Sequence, residues 1–254
     1  MSIDGIISKE RRDPTVGNKY DLSEISLIAQ KASDAVAAVL GVDVEIVDTG
    51  LMRIAGTGKY RSKVGLSLDR EGGAYRQVFR TGKGMVIANP GMDSVCRDCL
   101  KWRSCDETAE VSSPISVDGE VVGIIGLLCF DMEQRASLMS RLEPHREFID
   151  RISELLAAKI RESRLWMESQ VTSQVMRMLL DRMDDAVVAV DKVGRLLYFN
   201  ERAVRLTGIS SEKDGEPGAP RDEITKLPGR RFLGEVASSG KGFLQKEMFL
   251  NLRG

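Results

Sequence analysis

Ser112-Ser-Pro-Ile-Ser-Val117, Asp118-Gly119 and Glu120-Val-Val-Gly-Ile-Ile-Gly-Leu-Leu-Cys-Phe130 form the stretch that decides the fold. Asp-Gly between apolar, alternating runs is the strongest short-range hairpin signal, because a tight type I′ turn needs positive φ at both central residues. The pattern predicts an antiparallel pair. On its N-terminal side, Leu22, Ile25, Ile28, Ala32, Val36 and Val39 or Leu40 recur at helical spacing, and Gly41 is the stop. Val42-Asp-Val-Glu-Ile-Val47 alternates as a half-buried strand, Asp48-Thr-Gly50 turns, and Leu51 to Ala55 returns. A short helix fits Gly73 to Arg80 and a small strand fits Met85 to Ala88. Helices interleaved with hairpin-connected strands predict an α+β domain on an antiparallel sheet.

Beyond the hairpin, Met132 to Met183 is strongly helical, interrupted near Pro144. Ile149, Ile152, Leu156, Ile160 and Met167 trace one apolar side, continued by Val171, Val175 and Leu179. Such a stripe between two domains predicts a linking helix that pairs with a second copy as a parallel homodimer. The other reading folds that helix back onto its own domain. A second domain opens at about Asp184. Val187 to Val190 and Leu196 to Phe199 are strands about an Asp191–Gly194 turn. Asn200 caps a helix, Glu201 to Thr207, ended by Gly208. Ser210 to Arg221 reads as a loop and Gly242 to Leu252 as one more strand. The expected organisation is a polar lead (1–20), a sensory domain (21–140) whose cysteine loop spans 89–111, a connecting and dimerisation helix (141–183), and a second domain (184–254). The second domain has too few strands to be whole, so the chain reads as part of a longer protein.

The 254 residues carry 37 Lys and Arg against 38 Asp and Glu, a net charge of -1. That balance excludes a broad polyanion-binding surface, and with it a nucleic-acid role within these residues. Met1 to Lys19 has no apolar run of the kind a signal peptide needs, and no segment is apolar enough for a membrane span. The expected location is the cytoplasm, where cysteines are thiols or metal ligands more often than disulfides.

All four cysteines lie in the first domain. Cys96, Cys99 and Cys105 form a C-x2-C-x5-C run, and Cys129 follows at the end of the hairpin. A C-x2-C turn brings two thiolates to one centre, and all-thiolate ligation suits a soft metal. The spacing is consistent with an iron–sulfur cluster held by Cys96, Cys99, Cys105 and Cys129. Zinc is the alternative, and a redox switch or inert thiols remain open, Cys129 lying in a run apolar enough for a core cysteine. Trp102 would shield the centre, while Arg97, Lys101 and Arg103 would offset its negative charge. Other signals are weaker. Gly56-Thr-Gly-Lys59 lacks the P-loop spacing. His145 stands alone, and Glu110, Asp118 and Glu120 read as a hairpin surface.

Several of these motifs carry resemblances. The C-x2-C-x5-C run with a remote cysteine resembles the arrangement in WhiB-like iron–sulfur regulators, which implies a [4Fe–4S] cluster on Cys96, Cys99, Cys105 and Cys129 rather than zinc. Asp184 to Asn200, with Ala203 and Leu206-Thr-Gly208, looks like the opening of a PAS domain. The first 160 residues, in particular Pro114-Ile115, Gly119 and Val122-Gly123, resemble a GAF domain. Together they resemble the N-terminal sensory region of sigma-54-dependent bacterial transcriptional activators. The resemblance implies a non-enzymatic sensor of a small molecule, gas or redox state that signals through the connecting helix. It also implies that an AAA+ ATPase, DNA binding and the contact with sigma-54 RNA polymerase belong to C-terminal domains outside these residues. GAF-type free methionine-(R)-sulfoxide reductases are a second resemblance, implying a thiol oxidoreductase that uses Cys96, Cys99 and Cys105. A zinc-stapled dimerisation module is a third reading.

Overall fold

The computed structural model describes residues 20–68, 70–190 and 196–207. It separates into two compact units, 1–167 and 168–254. The expected polar lead lies almost wholly outside the described residues. Gly208, the loop at 210–221 and the strand at 242–252 lie outside them altogether.

The first unit begins with a 3-10 turn, Leu22–Ile25, that feeds helix α1 (Ser26–Leu40). Gly41 ends the helix with φ of 69°. Strands β1 (Asp43–Asp48) and β2 (Arg53–Gly56) follow, then helix α2 (Gly73–Thr81), β3 (Met85–Ile87), β4 (Ala109–Val117) and β5 (Glu120–Cys129). The five strands form one sheet in the order β2-β1-β5-β4-β3, every neighbouring pair antiparallel. Asp118 and Gly119 take φ of 51° and 86° between β4 and β5, as a primed two-residue turn demands. The α+β sheet predicted from that hairpin is the one observed.

Helix α3 (Met132–Ser140) is capped by Asp131, whose Oδ1 accepts from Gln134 N at 2.7 Å. The helical break expected near Pro144 falls at Arg141. Helix α4 (Leu142–Asp181) starts just after it, and Pro144 sits in its first turn, where the missing N–H would have had no partner anyway.

The sheet has two unlike faces. One bears Val44, Ile46, Ala55, Val111, Ile115, Ile125 and Leu127 and packs with α1, α3 and the first half of α4 into the main apolar core. Ile149, Leu156 and Ile160 are buried in that core and Ile152 packs against it. This corrects their assignment to a dimer seam: three side chains, each worth roughly 1.5–3 kcal/mol on burial, are satisfied within their own unit. Met167 is exposed. A polar contact joins strand and helix at the edge of that core, buried Ser113 donating its Oγ to exposed Asp150 Oδ1 at 2.6 Å with Ser153 Oγ 3.3 Å away.

In the second unit, β6 (Val188–Val190) and β7 (Leu196–Phe199) pair antiparallel, and α5 (Glu201–Thr207) follows. Asn200 organises it. Its Oδ1 accepts from Val187 N and Ala203 N, both at 2.9 Å, and its Nδ2 donates to Leu180 O and Asp185 O. The predicted cap is present and does more than cap.

Candidate functional site

The second face of the sheet carries polar side chains, yet it is closed from water. Glu45 on β1, Arg53 on β2 and Glu110 on β4 project from it, and α2 and the cysteine loop cover them. Glu45 and Arg53 form an ion pair at 2.5 Å with side chains only 3% exposed. Tyr75 of α2 donates its hydroxyl to the other Glu45 oxygen at 2.8 Å. The tyrosine reaches the strand because the residue beneath it is Gly126, paired with Glu45 and with Ser112; a β-carbon there would overlap the Tyr75 hydroxyl. Tyr60 donates to Glu107, and the Arg53 guanidinium lies 4.4 Å above the Tyr60 ring.

The loop that closes the chamber is shaped by its own backbone. Asp93 caps a short turn, Ser94–Cys96, and Cys99 N and Trp102 N donate back to Cys96 O and Cys99 O at 2.9 and 3.0 Å. Arg103 N donates to Gly91 O at 2.9 Å, and Arg103 itself has φ of 63°. Gly91, with φ of 79°, lets Cys105 pack against it; a β-carbon at 91 would come within 2.8 Å of Cys105 Cβ.

Cys96, Cys99 and Cys105 therefore line one cavity of about 40 Å³, together with Glu45, Arg53, Tyr60, Glu71, Tyr75, Lys101, Glu107 and Glu110. Cys129 does not join them. Glu110 pairs with Leu128 across the hairpin, and Leu128 lines the cavity, so Cys129, the next residue, points through the sheet into the apolar core. The four-thiolate set expected from the spacing does not fit this arrangement. Among the described residues, no three Cys, His, Asp or Glu side chains are disposed to hold a metal ion. Of the four supporting residues expected around a centre, Lys101 lines the cavity and pairs with Glu71 at 3.6 Å. Trp102 packs half-buried at the edge of a small apolar cluster with Val47 and Tyr75, while Arg97 and Arg103 are exposed.

The electrostatics follow from burial. Desolvation holds Glu110 well above the usual carboxylate range, and the charges of Glu107 and Glu45 push it further. Desolvation also raises Glu107 and Glu45, opposed at Glu45 by the Arg53 charge. Burial pushes the Cys105 thiol up to about 11 and raises Cys96 as well, so both are neutral thiols at pH 7. Glu110 Oε1 has no hydrogen-bond partner, although the residue is only 6% exposed.

The carboxylates are what sequence reasoning missed. Glu110 is no hairpin surface; only Asp118 and Glu120 are exposed as expected. A usable signal was parity: Glu110 alternates with Ala109 and Val111, which face a core, but nothing local showed that the opposite face would also be covered.

Residues 174–241 match the PAS domain family. Over 188 residues the chain is 28% identical to UacR of Escherichia coli (strain K12), a sigma-54-dependent transcriptional regulator whose name associates it with uric acid. That match covers 74% of this chain and 31% of the relative. Among solved structures, the chain is similar to a GAF domain of nlh2 from A. aeolicus in an inactive state, at 20% identity, covering 54% of this chain and 89% of that one, with a TM-score of 0.40. It is also similar to a type II free methionine-R-sulfoxide reductase from Thermoplasma acidophilum, at 17% identity, 56% and 96% coverage and a TM-score of 0.38. No helix among the described residues is long and apolar enough to cross a membrane.

Proposed function

We propose that this chain is the sensory region of a sigma-54-dependent transcriptional regulator, and that a small-molecule signal enters the cavity under the cysteine loop. ATP hydrolysis, DNA contacts and the contact with sigma-54 polymerase then belong to parts of the protein outside these residues, as the partial coverage of the E. coli relative suggests. The observation that carries the reading is Glu110. A buried carboxylate oxygen left without a partner costs about 1–3 kcal/mol or more, and a chamber built for stability alone would hold apolar side chains instead. Binding, rather than folding, accounts for retaining it.

Thermal melts of the chain with a panel of metabolites, combined with alkylation of its thiols, test this. A ligand that raises the midpoint and slows alkylation of Cys99 and Cys105 supports the cavity. Stabilising ligands that leave both thiols equally reactive place the signal elsewhere. The reading also expects no catalytic turnover of free methionine sulfoxide, and rates typical of enzymes, about 1 s⁻¹ or more, would favour the oxidoreductase reading.

The C-x2-C-x5-C spacing, rather than the disposition of the thiols, motivates a second reading, in which Cys96, Cys99 and Cys105 rearrange to hold an iron–sulfur cluster or zinc as the sensing element and Cys129 takes no part. Iron, sulfide and zinc analysis of anaerobically purified protein decides it, and a colourless, metal-free preparation ends it. Homodimerisation is retained as part of the proposal, along the exposed α4 residues Val171, Val175 and Leu179 rather than the buried set. Sedimentation of the chain over a range of concentrations tests it.

A further inference from the structure

Several donors in the cavity wall already serve its own carboxylates. Arg53 Nε and the Tyr75 hydroxyl both serve Glu45, the Tyr60 hydroxyl serves Glu107, and Lys101 pairs with Glu71. Against these stand four carboxyl groups, Glu45, Glu71, Glu107 and Glu110, with two cations, Arg53 and Lys101, so the wall is short of positive charge once Glu110 ionises. Glu110 Oε1 is the acceptor left over, buried and facing the same space. Burial holds Glu110 protonated in the free protein; a cation bound beside it favours the ionised form, which can only accept, so such a ligand must bring the donors. Size narrows the class further. A cavity of about 40 Å³ compares with roughly 10–15 Å³ for a single water on the same kind of measure, which leaves space for only a few non-hydrogen atoms. A pair of parallel N–H groups on a delocalised cation matches a carboxylate edge in two hydrogen bonds.

We propose that this cavity binds a compact cation rich in N–H donors, of the guanidinium or amidinium class, with Glu110 as its anionic anchor. The assignment rests on the reading of the cavity as the signal site and adds the chemistry that it selects. The ligand supplies the partner that Glu110 lacks and the positive charge that the wall lacks. Anions are repelled by the same carboxylates, and a neutral donor such as urea satisfies the hydrogen bonds but not the charge.

Thermal melting of the 254-residue chain with millimolar guanidinium or acetamidinium chloride, against sodium chloride at equal ionic strength, tests the proposal. Urea and urate serve as neutral and anionic comparisons. The expected result is a midpoint rise of about 5–10 °C once ligand reaches 100 times its Kd, opposite in sign to the denaturing action of guanidinium at high concentration. Glu110→Gln should abolish the rise while melting at or above the wild-type temperature, because it keeps the shape and removes the cost of holding a buried carboxyl protonated. Glu110→Asp keeps the charge at shorter reach and should retain part of the rise. A full rise in Glu110→Gln, or none with either cation in the wild type, overturns the proposal. Stabilisation by urea or urate alone, lost in Glu110→Gln, overturns the cation assignment while leaving the cavity as the signal site. No stabilisation by any of the four overturns the cation assignment, and the metabolite panel with thiol alkylation then decides the cavity as signal site.

Discussion

Gly126→Ala should be costly for a reason that one further substitution can remove. Its β-carbon would overlap the Tyr75 hydroxyl and lie 3.2 Å from Tyr75 Cζ. Tyr75 would have to withdraw, losing its hydrogen bond to Glu45, worth about 1.5–3 kcal/mol for a charged acceptor. Crowding of a packed site adds roughly 1–3 kcal/mol, and relief of a strand glycine returns about 0.5–1 kcal/mol. The net cost is about 2–5 kcal/mol. Tyr75→Phe alone forfeits only the hydrogen bond. In the Tyr75→Phe background the overlapping atom is gone, and Gly126→Ala should then cost no more than about 1.5 kcal/mol for the remaining close contact with Cζ. Urea unfolding of the four proteins in a double-mutant cycle, followed by circular dichroism, should show a coupling of roughly 2–3 kcal/mol. Additivity within about 0.5 kcal/mol would refute the claim that Gly126 exists to seat the Tyr75 hydroxyl on Glu45.

Leu156→Asp, which places a charge among the helix-side core residues, should unfold the first unit or destabilise it by about 3–5 kcal/mol; unchanged stability with weakened self-association would restore Leu156 to a dimer seam. Asn200→Ala removes four hydrogen bonds at once and should raise amide exchange throughout the second unit by at least tenfold, an increase confined to residue 200 counting against its organising role. Glu110 is held in its protonated form above its unfolded value, so its contribution is fully present below the unfolded carboxylate pKa and is lost as pH rises through the folded one. Stability should therefore decline with rising pH from about 4.5, by at most about 1.4 kcal/mol per pH unit for one such group. Glu110→Gln should flatten that slope, and an unchanged slope would assign it to other groups.

The fold was legible where local chemistry is sufficient. Asp118-Gly119 declared its turn, Gly41 its helix stop, and Asn200 its cap, because each depends on a conformation that few residues accept. The cysteine run was legible as a convergence of Cys96, Cys99 and Cys105, since a short loop keeps its own members close. Cys129 was misplaced because nearness in sequence to a strand end says nothing about the face a side chain takes; that needs the register, which sets Leu128 opposite Glu110. Glu45 lay hidden for a related reason. Alternation in Val42 to Val47 separates two faces, but the cover over the polar one comes from α2 and the loop at 89–108, both remote in sequence. The apolar stripe of α4 was seen as a stripe, yet periodicity alone could not tell whether Leu156 meets a partner or its own sheet.

Strand β4 works as a stiff pushrod with a different fitting on each side. Glu110 reaches into the chamber, and three residues along the same strand Ser113 is fastened to Asp150 on α4. The intervening backbone is locked by pairing with β5 along the whole hairpin and with β3 at its open end, so it has little slack in which a small displacement could dissipate. Apolar packing can slip by rotamer adjustment, whereas the hydroxyl–carboxylate bond of 2.6 Å from buried Ser113 to Asp150 at the surface fixes a single direction between strand and helix. A movement of Glu110 by a fraction of an ångström would therefore be felt at Ser113, about 10 Å away along the strand, where the bond to Asp150 hands it to the helix.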